Sequence, residues 1–283
     1  MPASFAGETS SSLNLGAAPW LPPVTSDVVI DLSHWQTSVD FVKAKAAGIV
    51  AVILKATQGS RWIDATFTQR FAAATGAGLL VGAYHFLDAS PPELQMANFL
   101  AVADGSPVLA LDAEPNAIGA TVTVPQAAEA AARLQMATGN APLVYISRYG
   151  PDECGTGFPN SVLARCPLWL PAYNSRPICP LGWSNWTLWQ HTDGSIGSDV
   201  LPVPGIGKCD RSRFAGTVEA LATWWKTLFS RASQADTPTL ESETVCRTSN
   251  RRGPSSFPDG DPCFQELEEA TISSRPLWNN DKG

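Results

Sequence analysis

Between Val28 and Ala103 the chain repeats one pattern three times: a short apolar, β-branched run, then a segment of helical periodicity. The first run is V-V-I-D-L-S (Val28–Ser33), followed by a helix near Val39–Ala47 that Ser38 is placed to cap and Gly48 to end. The second, V-A-V-I-L-K-A-T (Val50–Thr57), precedes a helix near Ala65–Thr75. The third, L-L-V-G-A-Y-H-F (Leu79–Phe86), precedes Pro92–Ala103, whose proline suits a first turn. A fourth run, V-L-A-L-D-A-E-P-N (Val108–Asn116), leads to an Ala-rich helix near Val124–Ala137, and Pro142–Ser147 reads as a fifth strand. Strands alternating with helices of this length are the pattern of parallel βαβ units.

After Ser147 the helical pattern stops. Pro167–Tyr173 and Trp186–Thr192 read as further strands joined by Pro-, Gly- and Cys-containing loops, and an amphipathic segment, Val218–Ser230, closes the regular part. The expected fold class is therefore α/β: an irregular TIM-like (β/α) barrel over residues 27–230, with helices mainly in its first half. An open doubly wound sheet is the alternative. Residues 1–26 (Ser-, Ala-, Gly- and Pro-rich) read as a non-globular arm, and residues 231–283 as a polar C-terminal tail.

A net charge of −7 argues against nucleic acid as a partner, because phosphate neutralisation needs clustered Lys and Arg. The longest uncharged apolar run, Gly76–Tyr84, falls short of the roughly 20 residues of a membrane span, so no membrane insertion is expected. The first cation is Lys43, and the polar run Glu8–Asn14 stands where the apolar part of a secretory signal would lie; no signal peptide is read. The six cysteines, Cys154, Cys166, Cys179, Cys209, Cys246 and Cys263, form no C-x-x-C pair, which disfavours zinc. Their even number allows three disulfides, with at least one bridge favoured over wholly unpaired thiols.

The fourth strand carries the chemistry. Side chains alternate along a strand, so Asp112 and Glu114 share a face with Val108 and Ala110, roughly 6–7 Å apart. In a parallel barrel that face points inward, and Pro115 marks the strand end at the mouth where active sites sit. Repulsion and desolvation are expected to raise one of the two pKa values and leave a protonated acid beside an ionised partner, as glycoside hydrolysis requires. A solvated strand terminus is the plainer alternative. Asp31 ends the first strand, and Asp210, in K-C-D-R-S-R-F, precedes the final helix. Acids ending strands one, four and the last would converge on one mouth, although Asp210 has Arg211 and Arg213 at hand as partners. Trp35, Tyr84, Phe86, Trp169, Tyr173 and Trp189 fall near the same ends and suit stacking on sugars. His34, His85 and His191 lie there too, but without H-x-H or H-E-x-x-H spacing no metal is expected; hydrogen-bonding support of the carboxylates is expected from at least one of them.

Taken in order, D-L-S-H-W-Q, L-K-A-T-Q-G, A-G-L-L-V-G-A-Y-H-F, L-A-L-D-A-E, W-L-P-A-Y, L-W-Q-H-T and C-D-R-S-R-F resemble the family 25 glycoside hydrolases, the Chalaropsis-type lysozymes of bacteria, fungi and phages. The resemblance spans about Asp27–Trp225. It implies an irregular β/α barrel and an N-acetylmuramidase cleaving the β-1,4 bond between N-acetylmuramic acid and N-acetylglucosamine in peptidoglycan, without a cofactor. It implies Glu114 as general acid/base, Asp112 as the charge-supporting or acetamido-orienting carboxylate, and Asp31 and Asp210 as the remaining acids. Tyr84, Tyr173 and Gln190 would line the sugar groove, with Phe86, Trp169, Trp35 and His34 as further substrate-binding candidates. The nucleophile is either a protein carboxylate or the substrate's acetamido oxygen, the latter with retention being favoured. One departure is Gln58 in K-A-T-Q-G, where the family commonly has an acid.

The second class of function is a non-catalytic carbohydrate-binding or structural virion protein on the same barrel; four retained acids favour catalysis. Without a signal peptide, delivery as a phage endolysin released from the host cytoplasm, or as a virion component attached to tail proteins through the arm and tail, is expected.

Overall fold

The computed structural model describes residues 24–147, 162–173 and 176–235. Eight strands close a barrel: β1 (Ser26–Leu32), β2 (Ala51–Gln58), β4 (Leu80–Phe86), β5 (Leu109–Ala113), β6 (Leu143–Ile146), β7 (Leu168–Pro171), β8 (Leu188–Thr192) and β9 (Asp210–Phe214). The short β3 (Trp62–Ile63) folds back antiparallel on β2. Neighbours from β1 to β8 are parallel, while β9 runs antiparallel to both β8 and β1. Pairing of β1 with both β2 and β9 completes the cylinder and excludes the open sheet.

Helices α1 (Phe41–Ala46), α2 (Phe67–Gly76), α3 (Pro92–Ala103) and α4 (Val124–Thr138) cover the first half, as the pattern predicts. The start of α1 differs. Asp40, not Ser38, is its N-cap: the extended Asp40 backbone (φ −124°) lets its carboxylate accept the Lys43 N–H at 3.0 Å. Thr123 and Gln126 form a reciprocal capping box at the start of α4.

Two packed layers follow from strand alternation. Outward residues, among them Ile30, Val52, Leu54, Val81, Leu111, Ala113 and Val144, bury against the helices. Inward residues Val29, Ala51, Ile53, Val108, Ala110, Leu143 and Leu188 fill the lower barrel together with Trp225. Trp225 comes from α5 (Val218–Ala235) and donates its indole N–H to the Val81 carbonyl at 3.2 Å. Gly82 makes room for it, since a Cβ there would approach the Trp225 ring and Val108 to 3.2 Å.

Most of the expected arm (1–26) and tail (231–283) lies outside the described residues, although Ser26 already belongs to β1 and α5 continues to Ala235. Cys154, Cys246 and Cys263 also lie outside; the described Cys166, Cys179 and Cys209 are free thiols. Among the described residues no helix is long and apolar enough to cross a membrane.

Candidate active site

Above the apolar floor the inward positions become polar, and they line a cavity of about 320 Å³. Along β5 the inward series is Val108, Ala110, Asp112 and then Glu114, so the carboxyls begin where the hydrophobic plug stops. Ala113 points the other way, into the helix-facing core. Asp31 arrives from β1. Asp210 reaches the same rim by a route the strand-end expectation did not contain: it starts β9 instead of ending it. Because β9 is antiparallel, its first residue lies opposite Asp31 in register. Its neighbours point outward, where Arg211 bonds Asp27 at 2.7 Å and Arg213 bonds Asp199 at 2.6 Å, so neither neutralises Asp210.

Gln190 on β8 links these groups. Its side-chain oxygen accepts from the hydroxyls of Tyr145 and Tyr173, each at 2.9 Å, and its amide donates to Asp31 Oδ2 at 3.1 Å. Tyr84, Phe86 and Trp169 complete the wall, and Trp35, 67% exposed, stands at its edge. Trp169 is fixed by donation from its indole to Ser212 Oγ at 2.9 Å. His34 does not line the cavity: it packs behind Trp35 (4.7 Å between centroids) and Trp62 (5.1 Å), with Nδ1 3.2 Å from Asp64.

The expected histidine support of the site carboxylates is not found. His85 bonds Thr57 at 2.7 Å and Gln95 at 3.1 Å, and burial lowers its pKa to about 4. His191 bonds Asp27 and Ser198 on the outside of the barrel. Their position on outward strand faces is the reason. Trp189 likewise turns outward, donating to the Ala172 carbonyl at 2.6 Å under Arg213.

The electrostatics also differ from a simple split. Burial, with repulsion among neighbouring acids, raises Asp31 and Asp112 far above the ordinary carboxyl range. Burial also raises Glu114, against the pull of Lys55, and lifts Asp210 to about 7. The shift is collective because all the acids share one desolvated mouth, with Lys55 as the single facing cation among the described residues. Tyr84, Tyr145 and Tyr173 are pushed up in the same way and remain hydroxyl donors. Asp112 Oδ1 is buried without a hydrogen-bond partner among the described residues.

Lys55 and Tyr145 were not among the sequence candidates. Alternation could have found both: Lys55 follows Ala51 and Ile53 on the inward face of β2, and Tyr145 follows Leu143 on β6.

Comparison with known proteins agrees with this geometry. The model of glycosyl hydrolases family 25 matches residues 30–200. The chain is 32% identical over 219 residues to lysozyme M1 of Streptomyces globisporus, covering 71% of this chain and 72% of that one. It is 31% identical over 185 residues to an N,O-diacetylmuramidase of a Chalaropsis species, covering 58% and 86%. Among solved structures, the lysozyme of Streptomyces coelicolor superposes with a TM-score of 0.61 at 28% identity, covering 74% of this chain and 98% of that one. The family 25 lysozyme of Aspergillus fumigatus gives 0.58 at 30%, covering 71% and 98%. The chain belongs to glycosyl hydrolase family 25 and is a glycoside hydrolase of the lysozyme type.

Proposed function

We propose that the chain cleaves the β-1,4 bond from N-acetylmuramic acid to N-acetylglucosamine in peptidoglycan, with Glu114 as general acid and then base. The observation that carries this reading is the unpartnered Oδ1 of Asp112 in a cavity it shares with Glu114. In the free protein burial and mutual repulsion raise Asp112, and burial raises Glu114 beside it. An acetamide N–H of the substrate donated to Oδ1 would stabilise the ionised Asp112 and leave the pair's proton on Glu114. Burial raises Glu114 while Lys55 pulls it back, which suits a group that must hold a proton and then release it.

Glu114 gives that proton to the leaving glycosidic oxygen while the acetamido carbonyl oxygen attacks the anomeric carbon, and Asp112 takes up the acetamide proton. Glu114 then removes a proton from the water that opens this intermediate while Asp112 returns its proton to the acetamide nitrogen, so the configuration is retained and both acids are restored. Asp31, steadied by Gln190, and Asp210 add negative potential beneath the oxocarbenium-like transition state. Tyr84, Tyr173, Phe86, Trp169 and Trp35 shape the sugar groove. For delivery we favour a phage endolysin or a virion component attached through the polar arm and tail.

Digestion of purified peptidoglycan tests the reading. New reducing ends on muramic acid, appearing first as the β-anomer by proton NMR, are expected. Reducing ends on N-acetylglucosamine, or an initial α-anomer, would overturn it.

A further inference from the structure

Lys55 is an ammonium in an enclosed place: its residue is only 8% exposed, on the inward face of β2 above Ile53. Among the described residues Nζ donates to Gln58 Oε1 at 2.7 Å, three residues further along β2 and past the register shift between Lys55 and Thr57. The rings of Trp62 and Phe86 flank it at 5.1 and 4.9 Å. Among the described residues no carboxylate comes within 4.0 Å of Nζ, so the charge is oriented but has no ion-pair partner. A buried cation is normally paired, because desolvation of an isolated ammonium costs several kcal/mol.

We propose that Lys55 and Gln58 act as one positioning unit that limits how tightly the Asp112–Glu114 pair holds its proton, Gln58 fixing the ammonium in place without neutralising it. A carboxylate at position 58 would close an ion pair and cancel the field. A neutral amide holds the same geometry and leaves the field directed at β5.

The charged surroundings agree. Asp112 and Glu114 of β5 line the same cavity as Lys55, and Asp64, on the β3–α2 connection, acts on it while accepting the His34 N–H at 2.9 Å. Glu114 is faced by Lys55 as the cation and by Asp112, Asp31 and Asp210 as acids, with Tyr84 and Tyr145 neutral. Among the described residues Lys55 is thus the cation acting against burial at both members of the pair.

This inference rests on Glu114 as the proton donor. Its test is the pH dependence of kcat/KM on soluble peptidoglycan fragments for wild type, Gln58→Glu, Gln58→Met and Lys55→Met. Gln58→Glu should move the alkaline limb upward by on the order of one pH unit, since an opposite charge within about 4–6 Å typically shifts a pKa by 1–3 units. Lys55→Met should move it the same way, and Gln58→Met should move it less than Gln58→Glu. An alkaline limb that stays put or falls in Gln58→Glu would overturn the proposal. A second readout, ¹³C NMR titration of the Asp112 and Glu114 carboxyls, needs no turnover. Carboxyl titrations that rise in Gln58→Glu support the unit even if Glu114→Gln remains active, which would instead sink the assignment of Glu114. Unchanged titrations reject the unit whatever Glu114 does.

Discussion

Asp31 and Asp210 lie directly opposite each other across the antiparallel pair β1–β9, the seam that closes the barrel. Like charges at such a position destabilise a sheet, and burial adds to the cost. The two arginines that flank Asp210 in sequence do not offset this, since Arg211 and Arg213 are spent on Asp27 and Asp199. The seam is held instead by strand pairing and by the amide of Gln190 on Asp31.

A pH-dependent stability difference follows. The folded pKa of Asp210 is raised to about 7 from an unfolded value of 3.8, so the folded state holds this proton more tightly. Its contribution is present below the unfolded pKa and is lost as pH rises through the folded one. Asp210→Asn should therefore match wild type near pH 4 and become the more stable protein by pH 8, by on the order of 1–4 kcal/mol. Urea midpoints measured across that range check this. A difference that shrinks with rising pH would reject it.

Gln190 is the common partner of Tyr145, Tyr173 and Asp31. Gln190→Leu keeps the volume but leaves two hydroxyls without their acceptor and Asp31 without its donor. A loss of about 1–3 kcal/mol is expected, as is usual for stranded buried polar groups. Activity should fall at least tenfold even at temperatures where the variant is fully folded. Circular dichroism melts beside turnover assays separate the two effects.

Trp35 is 67% exposed, and Trp62 stands 41% exposed beside the His34 ring that separates them. Trp35→Ala should leave the melting temperature within about 2 °C, because little packing is lost. It should raise KM on polymeric glycan about fivefold, the equivalent of about 1 kcal/mol of aromatic contact. An unchanged KM would remove Trp35 from the groove.

Much of this was legible in the sequence because two periods carry the information. Alternation along V-L-A-L-D-A-E identifies the inward face of β5, and the βα spacing implies a parallel barrel whose strand ends gather at one mouth. The direction of β9 was not legible: C-D-R-S-R-F is short and polar, and its register depends on β1 and β8, far away in the chain. Alternation puts Lys55 on the inward face of V-A-V-I-L-K-A-T, but nothing in that run says what the ammonium meets there. Its environment comes from Phe86 on β4 and Trp62 on β3, a strand of only two residues. The histidines misled because closeness to a strand end says nothing of which face a side chain takes. The collective rise of the acids required knowing that four carboxyls share one desolvated cavity, a property of the closed barrel and of no single motif.

The most direct test of the account is turnover of purified peptidoglycan by Glu114→Gln, with folding verified by its melting temperature. Proton transfer by a positioned carboxyl is worth about 10²–10⁴-fold, so muropeptide release should fall by at least a hundredfold while glycan binding persists. Release within a factor of three of wild type from a folded Glu114→Gln protein would contradict Glu114 as the acid/base.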